Sequence, residues 1–212
     1  MQLDVPVIGI LRGVEGSFFR ELMAVAFGAG LQAMEITMNT PGAVDIVAGC
    51  RGDVPADRYL GMGTVRCLEE ARAAIDCGAM FLVTPNTSVR VIEFAGKKGV
   101  PVIAGAFTPT EVYTAWSAGA EMVKVFPCGV VGPEYIRELR GPFDQIPMIA
   151  VGGVNIHNIG DYFACGAAGV GIGNSLFGRA AMAEKDLESV AKNVGEYLNA
   201  IRKATADSIA KY

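Results

Sequence analysis

Histidine is almost absent from this sequence, since His157 is the only one among its 212 residues. A zinc site built on several imidazoles, or a Ser–His–Asp triad, therefore has a single candidate histidine. That residue lies in a polar stretch, where a surface position at the start of a helix is expected. No cluster of Asp or Glu residues takes the place of the missing imidazoles, which fits a chemistry that needs no metal, and no cofactor is expected.

Positive charge and long apolar runs are also scarce. The chain has 18 Lys and Arg against 22 Asp and Glu, and no basic run exceeds two residues. Nucleic-acid binding is disfavoured, because it requires a dense positive face. No stretch approaches the roughly twenty consecutive apolar residues of a membrane-spanning helix, so no membrane partner is expected.

Paired cysteines are missing as well. The five cysteines are an odd number, lie far apart and include no CxxC motif. The N-terminus shows neither a basic segment nor a cleavage site of the kind that marks a secretory signal. Together these features predict reduced thiols and a cytoplasmic location.

Eight apolar, β-branched runs alternate with eight segments of helical periodicity. Several of the joints between helix and strand consist of a glycine followed directly by an apolar run, which is the pattern of αβ loops. The repeat of about 20 to 25 residues predicts a single-domain (β/α)8 barrel, with about 184–212 as a C-terminal helical extension. A doubly wound open sheet is the alternative, although it would place its glycine-rich loop after the first strand. The predicted strands cover residues 5–11, 31–37, 59–63, 79–84, 100–104, 122–126, 146–151 and 167–172.

Three polar residues are predicted helix caps. Thr108 precedes Pro109 and is followed three residues later by Glu111, the pattern of a capping box. Thr64 and Asn155 follow the third and seventh predicted strands and are expected to cap the helices after them.

Lys124 lies in an apolar strand, and Glu35 is the only carboxylate in the second strand. A lysine without a partner in such a strand loses its charge, and its neutral amine is a nucleophile toward carbonyls. The alternative is a lysine that extends to solvent. Burial would raise the pKa of Glu35 and suit it to proton transfer, whereas a structural ion pair with Lys124 is the other interpretation.

Glycines follow the last two predicted strands. Gly152 and Gly153 precede one predicted helix, and Gly173 precedes Asn174 and Ser175 before the next. Exposed backbone N–H groups at such positions bind anions, and barrels commonly bind phosphate there. Ordinary turn glycines are the alternative in a chain with 27 glycines.

Five motifs in this order resemble the 2-keto-3-deoxy-6-phosphogluconate / 4-hydroxy-2-oxoglutarate aldolases over about residues 5–180. They are Glu35-Ile36-Thr37, Gly61-Met62-Gly63-Thr64-Val65, Val83-Thr84-Pro85, Lys124-Val125-Phe126-Pro127 and Gly152-Gly153-Val154. The resemblance implies a class I aldolase, usually a homotrimer, that cleaves 2-keto-3-deoxy-6-phosphogluconate or its galactonate epimer to pyruvate and glyceraldehyde 3-phosphate. It implies a Schiff base on Lys124 and acid–base catalysis by Glu35.

The resemblance also implies the substrate contacts. Thr64, Pro85 and Phe126 would line the pyruvyl pocket, near the strand-end residues Thr37 and Asn39. The phosphate would be held by Gly152, Gly153, Asn174 and Ser175.

The chain departs from the gluconate-type pattern at two positions. Asn39 stands where those enzymes have an arginine for the substrate carboxylate, and Val151 stands where they often have threonine. Both positions look more like the 2-keto-3-deoxy-6-phosphogalactonate branch. Arg12, at the end of the first strand, is the predicted replacement for the carboxylate ligand. Three competing hypotheses remain. They are a 4-hydroxy-2-oxoglutarate aldolase, a phosphosugar isomerase in which Lys124 acts only through its charge, and a non-catalytic barrel that senses a phosphorylated ligand.

Overall fold

Eight parallel strands form a closed barrel in the computed structural model, which describes residues 1–209 and the side chains of residues 1–207. Each strand pairs with the next along the chain, and β8 pairs with β1. The closure confirms the (β/α)8 barrel and excludes the open sheet. The strands are β1 Val7–Leu11, β2 Ala33–Thr37, β3 Tyr59–Gly63, β4 Leu82–Val83, β5 Val102–Ala106, β6 Met122–Val125, β7 Met148–Val151 and β8 Gly169–Ile172.

Ten α-helices lie in the described residues, rather than the eight predicted, because the segment after β8 contains three. The helices are α1 Gly16–Gly28, α2 Ala43–Cys50, α3 Leu68–Asp76, α4 Val89–Lys97, α5 Pro109–Ser117, α6 Glu134–Arg140, α7 Ile159–Ala164, α8 Asn174–Phe177, α9 Arg179–Glu184 and α10 Leu187–Ile209. Residues 210–212 of the predicted C-terminal segment lie outside the described residues. Within residues 1–209, no helix has the length and apolarity required to cross a membrane.

Apolar residues form two clusters, one between the strands and the helices and one inside the barrel. The inner cluster includes Ile8, Ala33, Phe81 and Ile103. Phe81 requires a glycine opposite it, because a Cβ at Gly61 would lie 2.5 Å from its ring. The lower part of the barrel is therefore a packed core, and any polar site must lie toward the other end of the strands.

The long helix α10 packs against α1 and α7 on the outside of the barrel. Its buried positions Val190, Val194, Leu198 and Ile201 recur every three or four residues. This spacing gives one apolar stripe on the helix, and the stripe faces the barrel.

The fourth strand is shorter than predicted, since it covers only two residues. At its end, the Thr84 hydroxyl accepts a hydrogen bond from the N–H of Gly105 at 2.9 Å and donates one to the carbonyl of Asn86 at 2.7 Å. The Thr84 hydroxyl thus replaces a backbone carbonyl as the acceptor for the N–H of Gly105 at this end of the β4–β5 pair. A Cβ at Gly105 would lie 2.5 Å from the Pro85 carbonyl carbon, so the loop crosses directly over β5.

Two of the predicted helix caps are wrong. Thr64 has a left-handed backbone with φ of 56°, and α3 begins only after Cys67. Asn155 lies in a turn in which its side chain accepts a hydrogen bond from the N–H of the exposed His157, and α7 begins after Asn158. In both cases the loop makes an additional turn before the helix, which short-range sequence signals do not reveal.

The predicted capping box at α5 is confirmed. The Thr108 hydroxyl accepts from the N–H of Glu111 at 3.3 Å, and the Glu111 carboxylate accepts from the N–H of Thr108 at 2.8 Å. Two of the N–H groups that the helix leaves without partners are thereby satisfied.

Replacing Thr108 with alanine should lower the free energy of unfolding by about 1 kcal/mol, because loss of the hydroxyl leaves a helix N–H without its acceptor. Urea denaturation measures the change. Thr110→Ala is the matched control, since Thr110 is exposed in the same helix turn and should cost well under about 0.5 kcal/mol. Equal losses for the two variants would contradict a specific role for the cap.

Candidate active site

Glu35 and Lys124 lie on the inward-facing side of their strands. Successive side chains of a strand point to opposite faces, and the residues two positions earlier, Ala33 and Met122, pack with the inner cluster. Glu35 is 1% exposed and Lys124 is 6% exposed, so both titratable groups are inside the barrel above its apolar packing. The strand pattern therefore places an acid and an amine in one buried volume.

Glycines provide the space that these two side chains occupy. A Cβ at Gly63 would lie 2.1 Å from Glu35 Oε1, so only glycine is compatible with this carboxylate position. Lys124 is paired in register with Gly105 of β5, which likewise has no side chain. The two glycines of the Gly61-Met62-Gly63 motif thus leave room for two side chains inside the barrel. Gly61 makes space for the Phe81 ring, and Gly63 makes space for the Glu35 carboxylate.

Burial shifts both pKa values toward the neutral forms. Desolvation raises the pKa of Glu35 to about 7, although the nearby charges of Lys124 and Arg12 oppose the shift. Desolvation lowers the pKa of Lys124, with a further contribution from Arg12, against the opposing effect of Glu35. The amine is thereby closer to its nucleophilic form at neutral pH than an exposed lysine is.

The structure argues against a structural ion pair between the two residues. Neither Glu35 nor Lys124 takes part in any of the six ion pairs found in the described residues. Glu35 Oε2 is buried and has no hydrogen-bond partner among those residues. A buried acceptor of this kind is costly, and it is available to a molecule bound beside it.

Phe126 lies directly after Lys124 at the barrel mouth. Its ring centroid is 4.9 Å from Lys124 Nζ, and the residue is 39% exposed. A Cβ at Gly152 would approach the same ring to 3.3 Å. The aromatic ring therefore lies between the buried amine and the loop after β7, where one of its faces can stabilise an ammonium or iminium charge.

Two buried threonines connect the loops after β1 and β2. Thr37 and Thr40 hydroxyls lie 3.1 Å apart, and Thr40 Oγ1 accepts a hydrogen bond from the N–H of Gly13 at 2.9 Å. This contact fixes the loop that carries Arg12 relative to the strand that carries Glu35. Asn39 is exposed in the same turn. Sequence reasoning missed Thr40, whose role depends on a contact between distant segments.

A cavity of about 510 Å³ opens beside Phe126 at the C-terminal ends of β7, β8 and β1. It brings together six of the predicted binding residues. They are Arg12, Phe126, Gly152, Gly153, Asn174 and Ser175. Gly152 and Gly153 both have left-handed φ angles, 90° and 77°, and they precede the turn before α7 rather than the helix itself, contrary to the prediction.

The remaining predicted residues lie outside that cavity. Glu35 and Lys124 are buried inside the barrel, Thr37 lies above Glu35 on the same face of β2, and Thr64 and Pro85 follow β3 and β4. All of them are at the same end of the strands. Sequence reasoning missed Arg179 and Asn155, which line the cavity from α9 and from the turn before α7.

The arrangement of these groups favours carbonyl chemistry. The described residues contain no group of three or more His, Cys, Asp and Glu side chains that could hold a metal ion. A nucleophilic amine, a carboxyl group with pKa near neutrality and an adjacent polar cavity are present instead. This combination suits formation and breakdown of an imine on Lys124 with proton transfer by Glu35.

Comparison with known proteins agrees with this chemistry. The profile of the KDPG and KHG aldolases matches residues 5–193. The chain belongs to this aldolase family. Aldolases are carbon–carbon lyases, so the prediction of a lyase is confirmed.

Individual members of the family are similar over most of the chain. The 2-dehydro-3-deoxy-6-phosphogalactonate aldolase of Escherichia coli K12 is 34% identical over 207 residues, which cover 96% of this chain and 98% of that enzyme. The 2-dehydro-3-deoxy-phosphogluconate aldolase of Pseudomonas aeruginosa is 34% identical over 161 residues, or 76% and 71% of the two chains. A solved structure described as native KDPGal superimposes with a TM-score of 0.87 at 32% identity, over 97% and 98% of the chains.

Adding one methyl group at Gly63 should remove most of the aldolase activity. The Cβ of a Gly63→Ala variant would occupy the position of the Glu35 carboxylate, and a displacement of about 1 Å can cost about 100-fold in rate. Steady-state kinetics of pyruvate release measure the effect. Gly160→Ala is the control, because Gly160 is exposed in α7 with no atom within 4 Å of the new methyl group. Full activity in Gly63→Ala would show that the position of Glu35 does not matter.

Ionisation of Glu35 should make the folded chain less stable as the pH rises from about 5 to about 7. The unfolded carboxyl releases its proton near 4.5, whereas the folded one retains it to about 7, so the folded state binds more protons in this window. The loss is at most of order 3 kcal/mol. Urea unfolding at several pH values should show this slope in the parent chain and its absence in Glu35→Gln. Identical slopes would exclude a raised pKa.

Proposed function

We propose that this chain cleaves 2-keto-3-deoxy-6-phosphogalactonate to pyruvate and glyceraldehyde 3-phosphate through a Schiff base on Lys124. The observation that carries the proposal is the shared burial of Lys124 and Glu35 beside a polar cavity. We choose the galactonate epimer as the substrate because the chain is similar to the Escherichia coli enzyme. Asn39 and Val151, which depart from the gluconate-type pattern, support the same choice. No metal or organic cofactor takes part in the proposed reaction.

The reaction begins with attack of the neutral Lys124 amine on the C2 ketone of the keto acid. Protonated Glu35 donates a proton to the carbinolamine hydroxyl, water leaves, and a cationic imine forms. The Glu35 carboxylate then accepts the proton of the C4 hydroxyl, directly or through water. The C3–C4 bond breaks as its electrons flow into the imine, which gives an enamine and releases the aldehyde.

The second half of the reaction returns the enzyme to its starting state. Glu35 gives its proton to C3 of the enamine, and water hydrolyses the resulting cationic imine to pyruvate and the neutral Lys124 amine, with the released proton returning to the Glu35 carboxylate. A carboxyl group with pKa of about 7 can alternate between acid and base at neutral pH, as these steps require.

The other predicted residues take binding roles in this proposal. Arg12 pairs with the substrate carboxylate in place of the arginine that Asn39 replaces, and Thr37, Thr64, Pro85 and Phe126 surround the pyruvyl part. The phosphate binds to Gly152, Gly153, Asn174 and Ser175, the last two being the first residues of α8. These loops line one cavity beside Phe126, which supports a substrate that extends from Lys124 toward β7 and β8.

The proposal includes a homotrimer in the cytoplasm. A solved structure that is similar with a TM-score of 0.87 at 32% identity is described as a protein cage made by fusing symmetric oligomeric domains, which supports oligomerisation. Val130 and Tyr113, two large apolar residues, are 74% and 57% exposed in this chain. Such exposed apolar residues are compatible with a subunit interface.

Sodium borohydride with pyruvate should inactivate the enzyme irreversibly and leave a reduced pyruvyl adduct on Lys124, because only an imine is reduced to a stable amine. Peptide mass spectrometry locates the adduct. Lys124→Met should give neither adduct nor turnover. A phosphosugar isomerase that uses Lys124 only for its charge would give no adduct, and this result would sink the Schiff-base mechanism.

Cleavage of the galactonate and gluconate keto acids by one enzyme preparation tests the choice of epimer. A larger kcat/KM for the galactonate compound is expected, and the opposite order would reassign the substrate while leaving the mechanism intact.

A further inference from the structure

Arg179 is a cavity residue to which neither the proposed mechanism nor the sequence motifs assign a role. It begins α9, five residues after the start of α8, and it lines the same cavity as Ser175 and Gly153. No hydrogen bond or ion pair occupies its guanidinium in the part of the chain that the structure describes. By contrast, Arg137 and Arg66 pair with glutamates on their own or adjacent turns.

The charge lining the cavity is of one sign. Arg12 and Arg179 are its only charged residues among those described, and no aspartate or glutamate faces it. Two guanidinium groups in one concave site repel each other unless an anion lies between or beside them. An arginine in the first turn of a helix is also unfavourable toward the helix dipole, so local helix stability does not explain Arg179.

The backbone that carries Arg179 is held in place on both sides. Gly178 has φ of 81°, and a Cβ there would lie 2.2 Å from the Asn193 amide nitrogen, which itself donates to the Ser189 carbonyl at 2.8 Å. Leu176 and Phe177 before it are fully buried. The position of the arginine Cα is therefore fixed by the core and by α10.

A second anchor holds the other end of α9. Lys185 has a left-handed backbone, and its ammonium pairs with the Glu15 carboxylate at 2.6 Å. The same ammonium lies 5.7 Å from the ring centroid of Phe18 on α1. The Lys185–Glu15 ion pair connects the end of α9 to the start of α1, which follows the loop that carries Arg12. The segments that carry Arg179 and Arg12 are therefore in contact with each other.

We propose that Arg179 is a specificity-determining residue that binds the phosphate of the substrate and selects phosphorylated keto acids over their unphosphorylated forms. This inference rests on the proposed function for its substrate. A guanidinium presents two parallel N–H groups that match two phosphate oxygens, and such charge-assisted hydrogen bonds are stronger than those of the backbone N–H groups nearby. Arg12, nearer to Lys124 and Glu35, is left for the carboxylate.

Kinetics with matched substrates test the role of Arg179. Arg179→Gln should lower kcat/KM for the phosphorylated keto acid by about 10- to 100-fold, the range expected for a hydrogen bond to a charged group. The same keto acid without its phosphate should be cleaved at an unchanged rate. The kcat/KM of Arg179→Lys for the phosphorylated keto acid should lie between those of the parent and Arg179→Gln, because lysine keeps the charge but lacks the two parallel N–H groups of the guanidinium. Arg90→Gln, on the outer helix α4, is the control and should match the parent.

Binding of inorganic phosphate, measured by calorimetry, provides a readout that needs no catalysis. The dissociation constant should rise about tenfold in Arg179→Gln and stay unchanged in Arg90→Gln. Equal loss of kcat/KM for both keto acids, unchanged phosphate affinity in Arg179→Gln, or no phosphate binding by the parent would each overturn the inference. Failure of the borohydride trap would overturn the proposed function instead, and the phosphate titration would still decide the role of Arg179.

Discussion

Desolvation of two opposite charges is the constraint on which this molecule depends. Glu35 and Lys124 are both nearly inaccessible to solvent. Burial destabilises the charged form of each residue, and the charge of each partly stabilises the charged form of the other. An ion pair in close contact would have compensated the desolvation within the protein, but no such contact forms. Burial therefore brings the pKa of Glu35 to about 7 and lowers that of Lys124, and a carboxyl group with a pKa near neutrality can exchange protons during a reaction.

The barrel meets this constraint through residues that have no side chains. Gly61 leaves room for the Phe81 ring, which packs in the apolar cluster inside the barrel, and Gly63 leaves room for the Glu35 carboxylate. Gly105 pairs with Lys124 in the β5–β6 register. Each glycine weakens a strand through its backbone entropy, and the chain accepts this cost where a volume must remain available above the packed core. Stability and function are thus separated by depth along the same strands, with apolar layers below and titratable groups above.

Much of the fold follows from local patterns, whereas parts of the site do not. The eight strands and the capping box at Thr108 are confirmed, because alternating apolar runs and capping signals act within a few residues. Glu35 and Lys124 were recognisable because a charge inside an apolar strand is rare. The predicted caps Thr64 and Asn155 were wrong since the loops bend through left-handed and Asx-turn geometry before their helices. Thr40 and Arg179 escaped notice because tertiary contacts place them, not a motif.

The distribution of charge along the barrel mouth suggests why the site has two regions. Burial lowers the pKa of the Lys124 amine, and the positive charge of Arg12 lowers it further. A phosphate dianion, by contrast, needs several donors and at least one counter-charge. The proposed counter-charge, Arg179 on α9, lines the same cavity but is not among the charges that shift the pKa of Lys124 or Glu35, whereas Arg12 is. In the proposed reaction, this separation gives the imine-forming and the phosphate-binding regions different electrostatic environments, and an extended substrate connects them.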